Sequence, residues 1–358
     1  MKREISIGGR MVGTGYEPFL IAEMSGNHNQ SLDRAFEIVD AAAQAGANAI
    51  KLQTYTADTM TLNLGEGAFR ISDPNSLWTG VSLYDLYKQA HTPWEWHQPI
   101  MERATSRGLL CFSSPFDATA VDFLESLNVP AFKIASFENT DIPLIRKAAK
   151  TGKPIIISIG MASAEEVQDA VDAVLSTGNT NLILLKCTSS YPAEPLNSNI
   201  STITDMVSTF GCVIGLSDHT MGNGVASASI ALGASVIEKH FTLRRADGGV
   251  DSAFSMEPEE FKALAVECRR SWEALGSVHY GPTSGETASL KFRRSVYVVS
   301  DLEAGDVLDE KNLRCIRPGE GLSPKHYEKL LGRKVTRKVS RGTPATWDMV
   351  ADHANADA

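Results

Sequence analysis

The chain has no disulfide pattern. Its five cysteines, Cys111, Cys187, Cys212, Cys268 and Cys315, are scattered, and no two form a CxxC pair. An odd, unpatterned set excludes a disulfide framework and a cysteine zinc site, and predicts reduced thiols in a cytoplasmic protein. No apolar run is long enough to span a bilayer, and the opening MKREISIGGR lacks an apolar signal core, so a soluble protein is expected. Positive charge is also scarce: 34 Lys and Arg face 43 Asp and Glu, a net charge of -9. That argues against nucleic acid and anionic membrane as partners, without excluding a local basic pocket. Neither GxGxxG nor HExxH occurs, which disfavours a doubly wound dinucleotide-binding sheet and a local helical zinc site.

Short apolar runs alternate with amphipathic stretches. Strands are expected at 19–24, 49–55, 109–115, 131–136, 154–160, 182–189, 213–219 and 236–242, with helical patterns such as 32–46, 94–108, 117–128, 164–178 and 258–276 between or after them. Eight strand–helix units in this length predict a (β/α)8 TIM barrel. The first 18 residues read as a hairpin capping the barrel bottom, and the long connection 56–93 reads as a functional lid or a partner surface. We expect a barrel domain over 1–280, a linker over 281–291 and a small β-rich module over 292–352, with a frayed tail ADHANADA.

Lys51 and Lys133 stand out because each interrupts an apolar strand, AIKLQTY and AFKIAS. A buried ammonium needs an anionic partner. Three readings follow: a bound phosphate or carboxylate, a Schiff-base lysine, or an internal ion pair such as Lys51 with Glu23. The other strand ends are polar as well: Glu23, Gln53, Ser113, Ser114, Ser136, Ser158, Thr188 to Tyr191, Ser217, His219, Glu238 and His240. The hydroxyls of Ser114, Ser136, Ser158 and Ser217 suit an anion. Residues two apart share a strand face, so His219, His240 and Glu23 are expected to converge on a mixed nitrogen/oxygen site suited to Mn, Fe or Co. Hydrogen-bonded histidines without a metal are the alternative. Weaker candidates are Asn27, His28 and Asn29 after the first strand, Asp247 and Asp251 after the last, and Arg317 on the RPGEG turn.

Together, IAEMSGNHNQSLDRA, KLQTYTADTMT, FSSPFD, KIASFENTDIPLI, SSYPAEP, GLSDHTMGN and EKHFTL resemble the sialic acid synthase family, and the C-terminal module resembles its antifreeze-like SAF domain. AEMSGNHNQS and LYDLYKQAHTPWEWH are most similar to the pseudaminic branch. The resemblance implies condensation of phosphoenolpyruvate with an open-chain N-acetylated amino sugar and release of phosphate. It implies that His219 and His240 hold a divalent metal, Mn with Mg or Co as alternatives, with Glu23 beside it. Lys51, Lys133, Ser114, Ser136, Ser158 and Ser217 then hold phosphoenolpyruvate, while Tyr191, Asp251 and Arg317 meet the sugar. It further implies a domain-swapped homodimer in which one SAF module covers the partner's barrel mouth. Ser189 departs from the asparagine that N-acetylneuraminate synthases carry in CTxxYP, so no phosphate contact is carried over there.

Overall fold

The computed structural model describes residues 1–74 and 76–351. Residues 352–358, including most of the tail expected to fray, lie outside the described residues. The chain divides into two compact units after Gly276.

The first unit opens with a hairpin, β1 (Glu4–Ile7) paired antiparallel with β2 (Arg10–Gly13). Gly8 and Gly9 take φ of 53° and 87°, the left-handed pair that a two-residue hairpin turn of the right twist requires. Ile5, Ile7 and Val12 are buried, and Gly8 abuts Leu110, the first residue of the third barrel strand, and Pro130, two residues ahead of the fourth. The hairpin therefore closes the N-terminal end.

Eight parallel strands follow: β3 (Phe19–Glu23), β4 (Ala49–Thr54), β5 (Leu110–Pro115), β6 (Phe132–Ile134), β7 (Ile155–Ser158), β8 (Leu182–Cys187), β9 (Val213–Ser217) and β10 (Val236–His240). They close into one barrel in chain order, with β10 returning to β3. Helices cover the outside, so most strand residues are buried on both faces, as a parallel sheet demands. Well-formed caps start the helices: Ser31, Asp117, Asp141 and Ser163 each accept a backbone N–H of the first turn. The strand expected over 131–136 is only three residues long, because Ser136 begins a 3₁₀ turn.

The long connection is not structureless. It carries a helix at Leu83–Ala90, capped by Ser82. No described helix is long and apolar enough to cross a membrane. The C-terminal unit has its own small core, including Val296, Val298, Leu313, Leu330 and Val339, around the antiparallel pair β11 (Ser295–Val298) and β12 (Leu313–Ile316).

Candidate active site

Parallel register places functional side chains at one level of the barrel. Glu23 pairs with His240 on one side and Lys51 on the other, while Ser217 pairs with Glu238. Partners in register share a face, so these groups meet at the C-terminal ends of the strands, where barrel chemistry is done.

Both lysines are buried, at 3% and 2% exposure. Lys51 forms a close ion pair with Glu23 and donates to Ser114 Oγ at 3.2 Å. The expected internal pair therefore exists, and Lys51 is not a bare cation. Lys133 is poorly served: Glu238 Oε1 lies 3.5 Å away and its own neighbour's carbonyl, Ile134 O, 3.4 Å. Burial pushes Glu23 up to about 7, with Lys51 opposing and Glu238 reinforcing the shift. Burial also works against ionisation of Glu238, but Lys133, Lys51 and the Ser217 hydroxyl outweigh it and hold that carboxyl below its usual range. Burial lowers Lys133, whereas for Lys51 it is overcome by Glu23 and Glu238.

The hydroxyls divide. Ser217 donates to Glu238 Oε1 at 3.1 Å, and Ser136 Oγ accepts the Gly160 N–H at 3.1 Å. Ser158 Oγ is buried with no partner at all, as is Glu23 Oε1. Ser113 is a correction. It bonds Thr54, which in turn bonds His97 of an outer helix, so it faces away from the site.

His219 and His240 sit 5.3 Å apart by ring centroid, and the Tyr191 ring lies 4.4 Å from His219. His219 Nδ1 is 2.8 Å from the Thr188 carbonyl. A carbonyl only accepts, so Nδ1 carries a proton and Nε2 is the nitrogen left to face a ligand, the arrangement that orients a ligating histidine. Burial opposes charge on this ring, but Cys187 and the Thr188 carbonyl outweigh it and raise its pKa. His240 Nδ1 is buried without a hydrogen-bond partner, and burial, then His219 and the nearby lysines, drives the ring well below its ordinary pKa. The pair fits two positions of a metal with open sites. The expected third member does not complete it. Among the described residues no three His, Cys, Asp or Glu side chains are arranged to hold an ion; Glu23 turns to Lys51, and the carboxylate near His240 Nδ1 is Asp251, 3.9 Å away.

A cavity of about 450 Å³ opens beside these groups. Gln53, Glu138, Ser189, Tyr191, His240 and Asp251 contribute to it, and so do Trp78 and the helix Leu83–Ala90 of the long connection. Glu138, which the sequence reading passed over, has an unpartnered buried oxygen and is raised to about 7 by burial. Cys187 lies 3.9 Å from His219 Nδ1; burial works to raise its thiol, but His219 brings it down to about 7.

Among the weaker candidates, Asn27, His28, Asn29 and Asp247 are held by structural hydrogen bonds and ion pairs. Asn27 donates to the Phe241 carbonyl and to Ser255, Asn29 donates to the Gly248 carbonyl, and His28 bonds Thr92. Asp247 pairs with Arg34 and Arg244. Asp251 accepts a close hydrogen bond from Ser25. Ser25, Asn29 and Gln30 hold φ near 50°, a strained backbone that this bonding stabilises. Arg317 lies in the C-terminal unit, exposed, before a cis proline.

A closed (β/α)8 barrel with two buried lysines, two imidazoles and a cavity at its strand ends has the layout of a barrel enzyme. The chain belongs to the NeuB family, whose profile matches residues 38–280, and a SAF domain matches residues 293–351. It is 43% identical to a pseudaminic acid synthase of Helicobacter pylori over 92% of this chain and 97% of that one. Identity to an N,N'-diacetyllegionaminic acid synthase of Legionella pneumophila is 36%, over 94% and 96% of the two chains. Among solved structures, an N-acetylneuraminic acid synthetase of Leptospira borgpetersenii superimposes with a TM-score of 0.72 at 33% identity, over 82% of this chain and 97% of that one.

Proposed function

We propose that the chain condenses phosphoenolpyruvate with 2,4-diacetamido-2,4,6-trideoxy-L-altrose, releasing pseudaminic acid and phosphate, as a cytoplasmic enzyme. The observation that carries this reading is the under-satisfied Lys133, on a strand next to the one that ends in the orphan hydroxyl of Ser158, in a barrel that also brings two imidazoles together at its strand ends. Identity to pseudaminic acid synthases supports the choice of sugar.

In this reading Lys51 and Lys133, with Ser114, Ser136, Ser158 and Ser217, take the carboxylate and phosphate of the donor through charge-assisted hydrogen bonds. A donor carrying several negative charges competes with Glu23 and Glu238 for both ammonium groups. His219 and His240 would hold a divalent ion, Mn with Mg or Co as alternatives, which when bound supplies Lewis acidity toward the aldehyde oxygen. Tyr191 and Asp251 flank the acceptor. The methylene carbon of phosphoenolpyruvate bonds to the aldehyde carbon, and water adds to the cationic carbon that results. Glu23, poised at about 7, takes the water proton at Oε1. That proton passes to the former aldehyde oxygen, now an alkoxide. Phosphate departs with its bridging oxygen by C–O cleavage as the hemiketal hydroxyl becomes the keto oxygen and gives its proton to the phosphate. Holding both substrates in one cavity lowers the barrier by up to ~7–11 kcal/mol.

The active form in this proposal is a domain-swapped homodimer, with Arg317 delivered to the acceptor's acetamido group. Exposed apolar side chains after four consecutive strands, Phe137, Met161, Leu196 and Met221, support a covered mouth.

Phosphate release across diacetamido and acetamido sugars tests the reaction. Release only with sugars other than the proposed one would reassign it to an N-acetylneuraminate or legionaminate synthase. Water labelled with heavy oxygen is expected to leave phosphate unlabelled. Chelation is expected to abolish turnover and Mn to restore it. Mixing inactive His219→Ala and Arg317→Ala proteins is expected to regain activity if the swap is real.

A further inference from the structure

The helix Leu83–Ala90 has the sequence LYDLYKQA, and Leu83, Leu86, Tyr87 and Ala90 recur at the i, i+3, i+4, i+7 spacing of an apolar helical stripe. Such a stripe normally packs against protein core. Here all four residues line the 450 Å³ cavity instead, joined by Trp78. Leu83, Leu86, Tyr87 and Trp78 remain only partly buried. The placement is held by three hydrogen bonds. Trp78 Nε1 donates to the Val250 carbonyl at 3.1 Å, and Gln30 Nε2 donates to the carbonyls of Gln89 and His91 at 2.9 and 2.8 Å. The cavity is thus two-faced, with a polar floor of strand-end groups and an apolar roof.

We infer that this roof selects the acceptor by its methyl groups, and that Leu83 and Leu86 are specificity residues for a 6-deoxy, N-acylated sugar. The inference rests on the proposed condensation. In that reading the reacting aldehyde lies by His240, the one imidazole of the lining, so the remainder of the open-chain sugar extends toward the roof. A hydroxyl set against Leu83 and Leu86 loses water and finds no acceptor on those side chains, whereas a deoxy or acetamido methyl covers apolar surface. One such group changes kcat/KM by about 10–200-fold.

The test compares kcat/KM, by phosphate release, for 2,4-diacetamido-2,4,6-trideoxy-L-altrose and its 6-hydroxy counterpart. Wild type is expected to prefer the deoxy sugar. Leu86→Gln and Leu83→Gln, each at a partly exposed position where a polar residue is tolerated, are expected to shrink that ratio about tenfold or more. Lys88→Ala, on the exposed face, is expected to leave it unchanged. An unchanged ratio in both glutamine variants, with melting temperatures near wild type, overturns the roof's role while the condensation stands. No phosphate release by wild type with any acceptor overturns the condensation itself, and this inference with it.

Discussion

The inside and the outside of the barrel wall each bury lysine, and they treat it in opposite ways. Lys239, on β10, is 1% exposed and faces outward. Its ammonium has three acceptors: Asp218 Oδ2 at 2.9 Å and the carbonyls of Thr220 at 2.5 Å and Gly222 at 3.1 Å. Every donor of that group is used. Lys133, equally buried on the inner face, has one carboxylate at 3.5 Å and a marginal carbonyl. Burial of a lysine is therefore not by itself a sign of a ligand; unused donors are. The outer lysine ties down the segment that carries His219, while the inner Lys133 is left with bonding capacity to spare.

This contrast sets four expectations. The largest concerns Lys239→Met, which strands Asp218 as an unpaired buried charge and should cost ~3–5 kcal/mol of stability, read as a lower urea midpoint. Lys133→Met should lose much less stability but ~10²–10³-fold in kcat/KM, the range for removing one preorganised electrostatic group. If the two variants exchange these phenotypes, the contrast is wrong.

A third expectation concerns pH. Glu23 stands at about 7 when folded against 4.5 when free, so between those values the folded state binds the extra proton. Its contribution to stability therefore falls as pH rises through that window. Glu23→Gln should remove this slope, so the stability difference between variant and wild type grows from pH 4.5 to 7. A constant difference would mean that Glu23 titrates normally. The smallest effect is expected of Ser158→Ala. Losing a hydroxyl that bonds nothing in the protein should not destabilise the fold, yet should raise the KM for phosphoenolpyruvate by about 3–10-fold, the ~0.5–1.5 kcal/mol of one hydrogen bond.

Much of the fold was legible because a parallel barrel strand buried on both faces has to be an apolar run, and eight such runs alternated with capped helical patterns. The same rule made Lys51 and Lys133 conspicuous. It should have flagged Lys239 as well, but VIEKHFT places that lysine between Glu238 and His240, whose pattern drew attention to the inner face. In the sequence the roof helix reads only as part of the long connection 56–93, and nothing in its apolar spacing tells a cavity from a core. The three-group metal site failed for a similar reason: register brought Glu23 to the level of His240, but the carboxylate chose the lysine on its other side.

What the sequence by itself determined is the set of elements, the level at which polar groups occur along each strand, and membership of the NeuB family through its ordered motifs. These depend on period and local order, which the chain carries in one dimension. Only the tertiary structure decided which lysine is satisfied, which serine is orphaned, that Asp251 rather than Glu23 stands near His240 Nδ1, and that a helix face opens onto a void. Each of those depends on distances between strands remote in sequence, and a difference of about 1 Å separates a hydrogen bond from an unused donor.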